Sequence, residues 1–162
     1  MKKGEKGILV VIAVFVGIAM LYKAVNIAME TKKDPGIPFY STATAELQKE
    51  ANTLMRELNC RDCHVLWAQR TLMQSVPAPS LDGIGSIRSR EWLYQYFSAE
   101  DPQLILPSRL KAEFKMPSFK TLSTKERELL ADYVSSLKVK DWYLDETKKR
   151  EYEKLTGREY KQ

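Results

Sequence analysis

The 162-residue chain has room for about one domain, and its formal charge of +5 is moderate. Through Asp34 it holds six lysines against three acids, so this short stretch contributes +3 and the remainder is close to neutral at +2. Such a balance lacks the dense basic stripe of a nucleic-acid-binding surface.

Lys2, Lys3 and Lys6 precede an uncharged run from Gly7 to Tyr22, and Ala24 to Met29 continues mostly apolar past Lys23. The 23 residues of 7–29 are long enough to cross a bilayer as a tilted helix. Lys23 sits near the outer end, where its ammonium can snorkel to the headgroups. A cleaved signal peptide is the alternative, but its apolar region is usually only about 7 to 15 residues and ends at a small-x-small site. No convincing site of that kind follows here. The basic residues 1–6 favour a cytoplasmic N-terminus, although Lys32 and Lys33 blunt the asymmetry.

Residues 30–40, with Asp34-Pro35-Gly36-Ile37-Pro38, suit an extended spacer. A helix is expected to start around Ser41 to Thr44. It presents Leu47, Ala51, Leu54, Met55 and Leu58 at helical spacing and runs directly into Cys60.

Cys60-Arg61-Asp62-Cys63-His64 holds both cysteines and the only histidine of the chain. This is Cys-x-x-Cys-His, the haem c attachment pattern. Two thiols three residues apart on a helical turn reach the two vinyl groups of one haem edge, and the next residue offers an imidazole to the iron. A Cys60–Cys63 disulfide would leave His64 unexplained. A thioredoxin-like site would need a strand–helix context that is not found nearby, and a zinc site lacks a usual fourth ligand.

Val65 to Met73 is apolar, and Pro77 to Gly85 is a Pro- and Gly-rich loop. Ser89 can cap a short helix whose Trp92, Leu93, Tyr96 and Phe97 bury one face, ending at Asp101-Pro102. Gln103 to Lys115 reads as a loop, followed by Met116-Pro117. Ser123-Thr124-Lys125-Glu126 fits a capping box, opening a helix with Leu129, Leu130, Tyr133, Val134 and Leu137 inward.

Taken together, Leu47 to Leu137 resembles a class I c-type cytochrome. The resemblance implies a small helical domain, 41–137, around one covalent haem c; with the N-terminal transmembrane helix read from residues 7–29, the expected fold is all-α. The resemblance also implies thioether bonds from Cys60 and Cys63 and His64 as proximal ligand. Pro79 (or Pro77) would accept the hydrogen bond of the other imidazole nitrogen, and Met116, 52 residues after His64, would be the sixth ligand. Met73 is its main rival. Trp92, Tyr96 and Phe97 would form pocket wall and core. Haem c is attached on the outer side of an energy-transducing membrane. The expected location is therefore the bacterial inner membrane, single-pass, with the haem domain in the periplasm.

Residues 138–162 extend beyond this pattern and interleave Trp142, Tyr143, Leu144, Tyr152, Leu155 and Tyr160 with charges. Their apolar face is too thin to form a core alone, so they are expected either as a solvated, partly disordered end or as a segment docking on a partner. A ring held by His64 and Met116 has no open iron position, so the expected function is one-electron transfer without a small-molecule substrate. The expected partners are the bilayer and redox proteins or subunits of a membrane complex, steered in part by Arg109, Lys111, Lys115 and Lys120. In architecture the chain is also similar to the monohaem subunits of nitric oxide reductase and of cbb3-type oxidase. A ligand-binding haem sensor or peroxidase is the further alternative, for which no second histidine is present.

Overall fold

The computed structural model describes residues 3–29, 36–69 and 78–161. Met73, Pro77 and most of the expected spacer lie outside them. The chain divides into two units, Met1–Gly36 and Ile37–Gln162. The first is helix α1, Lys3–Met29. Its stretch Lys6–Asn26 has a mean hydropathy of 2.6 and none of it is buried. At 1.5 Å per residue that stretch spans about 31 Å, so by length and composition alone it matches a bilayer core.

The second unit is mostly helical. Thr44 caps α2, Ala45–Glu57, its Oγ1 accepting from the Leu47 amide at 3.2 Å. Ala51, Leu54 and Met55 are the buried stripe of α2. The helix does not continue into Cys60 as expected. It stops at Leu58, and Asn59 adopts a left-handed conformation, φ 54°, before the single turn α3, Cys60–Cys63. Asparagine tolerates that region better than most residues, so a break here is cheap and re-aims the turn that follows.

Ser89 caps α4, Arg90–Ser98, by accepting from the Trp92 amide. Ser123 and Glu126 form the reciprocal capping box that opens α5, Thr124–Ser136. Leu130, Ala131, Tyr133 and Val134 of α5 meet Leu54 and Met55 of α2 and Leu93 and Phe97 of α4 in one core. The expected loop 103–115 is tightened by two short 3₁₀ turns, Pro102–Leu104 and Ala112–Phe114.

An all-α reading misses a small ribbon. Strands β1, Phe39–Ser41, and β2, Leu137–Val139, pair antiparallel with Phe39 opposite Val139 and Ser41 opposite Leu137. Three-residue strands carry too little alternation to be read from sequence. The ribbon draws the end of the expected spacer into the domain, so the unit starts at Ile37 rather than at residue 41.

The tail is neither loose nor detached. It forms the turn Asp141–Tyr143 and helix α6, Leu144–Thr156, which folds back on its own domain. Thr147 is buried, Phe39 meets Tyr143 edge-on at 5.5 Å, and Arg88 pairs with Glu151 at 3.2 Å. These contacts, not a wide apolar stripe, hold the helix. Trp142 stays 52% exposed.

Gly85 sits where β2 leaves α5. A Cβ there would run into the Ser135 carbonyl oxygen and lie 2.9 Å from that of Leu137, both backbone atoms that cannot swing away. Gly85→Ala is therefore expected to cost about 3 kcal/mol by overpacking. A denaturant titration checks this, and an unchanged midpoint would contradict the close packing.

Candidate functional site

Cys60, Cys63, His64, Pro79 and Met116 all line one pocket of about 420 Å³. Its other walls are largely apolar: Leu58 after α2, Trp92, Leu93, Tyr96 and Phe97 from α4, Leu106, Phe114 and Phe119 from the segment around Met116, and Val134 from α5. Of these α4 residues, Leu93 and Phe97 also belong to the buried core, and Trp92 and Tyr96 pack against it partly buried.

The turn α3 places its two sulfurs at the pocket while His64, already extended in backbone, leaves it. The chain then makes a tight turn in which Trp67 and Ala68 both have positive φ, 58° and 54°. Two non-glycine residues in that region are costly, and Asp82 offsets the cost. Its carboxylate accepts from the Trp67 and Ala68 amides at 2.5 and 2.8 Å and from the Ser80 hydroxyl at 3.2 Å. The Leu81 amide donates to the Val65 carbonyl at 2.9 Å. These bonds clamp the loop Ala78–Asp82 against the segment after His64.

The clamp sets the histidine. His64 Nδ1 lies 2.7 Å from the Pro79 carbonyl oxygen, and a carbonyl can only accept, so Nδ1 carries the proton. The Nε2 lone pair is left for a ligand. Burial lowers the His64 pKa, against the smaller raising effect of the Pro79 bond, so the imidazole is neutral, the form that coordinates metal.

The cysteines are thiols rather than a disulfide. Burial pushes Cys60 up to about 11 and also raises Cys63. A redox-active dithiol needs the opposite shift. Among the described residues, no group of three or more His, Cys, Asp and Glu side chains is arranged to hold a metal ion.

Met116 is half-buried, and its segment is pinned on either side: Gln103 Nε2 donates to the Met116 carbonyl at 3.3 Å, and the Ser118 hydroxyl donates to the Ala99 carbonyl at 2.7 Å. Met55 is buried in the core of α2 and does not line the pocket. Of the expected cations, Lys120 pairs with Glu100 at 2.8 Å and Arg109 donates to the Lys154 carbonyl at 3.3 Å. Lys115 lines the pocket.

A wider cleft of about 920 Å³ lies under α6. It shares Ala78, Ser80, Ile84 and Glu151 with the pocket. Its described walls balance four basic against four acidic side chains and include no motif residue, so the smaller pocket carries the chemistry.

Sequence reasoning missed Asp82, Gln103, and Glu151 and Leu155 of α6. Asp82 precedes Gly83 in a turn-like tetrapeptide, a signal for a loop but not for the two amides it holds 14 and 15 residues away. Leaving those two amides unpaired is expected to cost Asp82→Ala about 3 kcal/mol. Thermal unfolding monitored by circular dichroism checks it, and parent-like stability would mean the turn needs no carboxylate.

A family model for cytochrome c matches residues 48–138, just over half of the chain. No match was found among curated proteins or among solved structures.

The donor set fits the group that this family carries. A neutral imidazole with its second nitrogen bonded, two thiols on one turn and a thioether share a mostly apolar pocket of the size that cofactors occupy.

Proposed function

The chain belongs to the cytochrome c family, and from that premise we propose that it is a membrane-anchored monohaem cytochrome c that passes single electrons on the periplasmic side of the bacterial inner membrane. The observation that carries the reading is the convergence of Cys60, Cys63, a Pro79-bonded His64 and Met116 on one pocket. When bound, the haem supplies one-electron cycling between Fe(III) and Fe(II).

The residues do the rest. Cys60 and Cys63 hold the group through thioether bonds. His64 offers Nε2 while Pro79 fixes its tautomer and ring orientation, which raises its basicity as a ligand. Met116 offers a soft thioether, a ligand that favours the ferrous state and raises the potential. Trp92, Leu93, Phe97 and Phe119 exclude water. A haem held by both His64 and Met116 would have no iron position open to a substrate.

Helix α1 supplies the anchor on this reading, through a stretch whose length and hydropathy suit a bilayer. Its partners are then other redox proteins or subunits of a membrane complex. The protein serves either as a tethered carrier or as a fixed subunit of such a complex; the tail, packed on its own domain, supplies no separate argument for the fixed subunit.

The test is the full chain, matured with haem c and reduced in detergent. The parent is expected to ignore carbon monoxide, whereas Met116→Ala binds it and has a lower midpoint potential. Carbon monoxide binding by the parent would remove Met116 from the iron and make the protein a ligand-binding haem centre. Retention in membranes after a high-salt wash is expected, and release would overturn the anchor.

A further inference from the structure

The family match ends at residue 138, yet two side chains of α6, Glu151 and Leu155, line the same pocket as His64 and Met116. Leu155 extends the apolar wall. Glu151 is different in kind: its side chain is only 11% exposed, and a carboxylate is an expensive group to place on such a wall.

It is also held in place. Both of its oxygens accept from Arg88 Nη2 at 3.2 Å. The Arg88 guanidinium lies 4.8 Å over the Trp92 ring, and Trp92 stacks on Tyr96 with centroids 5.2 Å apart. Both rings are pocket walls. The backbone beneath α6 leaves little freedom, because a Cβ on Gly83 would meet Val139 at 2.9 Å and Thr147 of α6 at 3.2 Å. One negative side chain thus lines the pocket, and one positive side chain stands behind it, held against Glu151 and the Trp92 ring.

We propose that α6 is an intramolecular wall of the haem pocket and that its Glu151, with Arg88, sets the reduction potential of the haem. This rests on the haem reading above. The ferric group carries one more positive charge than the ferrous group. A carboxylate on the wall therefore favours the ferric state, and a guanidinium behind it favours the ferrous state. Burial pushes the Glu151 carboxyl up, and the Arg88 charge and hydrogen bond pull it back. The pair is a positioning device, since neither side chain needs to touch the iron.

Redox titration of the matured full chain, repeated across pH, separates this from a structural role. Glu151→Gln is expected to raise the midpoint potential and Arg88→Gln to lower it. Each shift corresponds to a roughly three- to tenfold change in the ferric–ferrous equilibrium, tenfold being about 59 mV for one electron. Arg88→Lys, which keeps the charge, should stay near the parent. A tail that merely covers the pocket would loosen in both glutamine variants and move both potentials the same way. Shifts of one sign, or no shift, with an unchanged low-spin spectrum would overturn the proposal and leave the haem reading standing. A parent that takes up no haem would overturn both.

Discussion

The hydrogen bond that His64 Nδ1 donates to the Pro79 carbonyl, 2.7 Å long, is the constraint on which the site depends. It assigns the imidazole tautomer, and it joins two segments 15 residues apart that have no regular structure of their own. Neither partner could hold the other without Asp82, whose carboxylate accepts the two amides of the left-handed turn at Trp67 and Ala68. The local strain of that turn is thereby balanced by buried charge-assisted bonds, a common arrangement where a loop has to present a ligand.

Around this clamp the helices act as scaffold. Capping at Thr44, Ser89 and Ser123 starts α2, α4 and α5 at defined residues, and their buried stripes meet in one core. The residues of the candidate site stand on short or irregular pieces at the edge of that core: a one-turn helix for the cysteines, a clamped loop for Pro79, a pinned irregular segment for Met116. Irregular segments on a rigid frame are where a fold can aim single side chains.

The motif residues were legible in the sequence because their chemistry is local: five consecutive positions, a Met-Pro pair, a capping box. The helices were legible because their stripes recur at helical spacing. What escaped was non-local. The ribbon of β1 and β2 pairs residues 39–41 with 137–139 over too few positions to alternate visibly. The fold-back of α6 depends on a partly buried Arg88–Glu151 pair and on the buried Thr147, residue types that read as solvated in a charged stretch. The break at Asn59 depends on one left-handed residue between two otherwise helical segments.

The central claim of our reading is that His64 and Met116 of this chain would both ligate the iron of a bound haem. X-ray absorption at the iron edge of the matured protein tests it most directly. The account predicts a low-spin shell of nitrogen scatterers with one sulfur at a thioether bond length. A shell of nitrogen alone, or one lacking a sixth ligand, would contradict it.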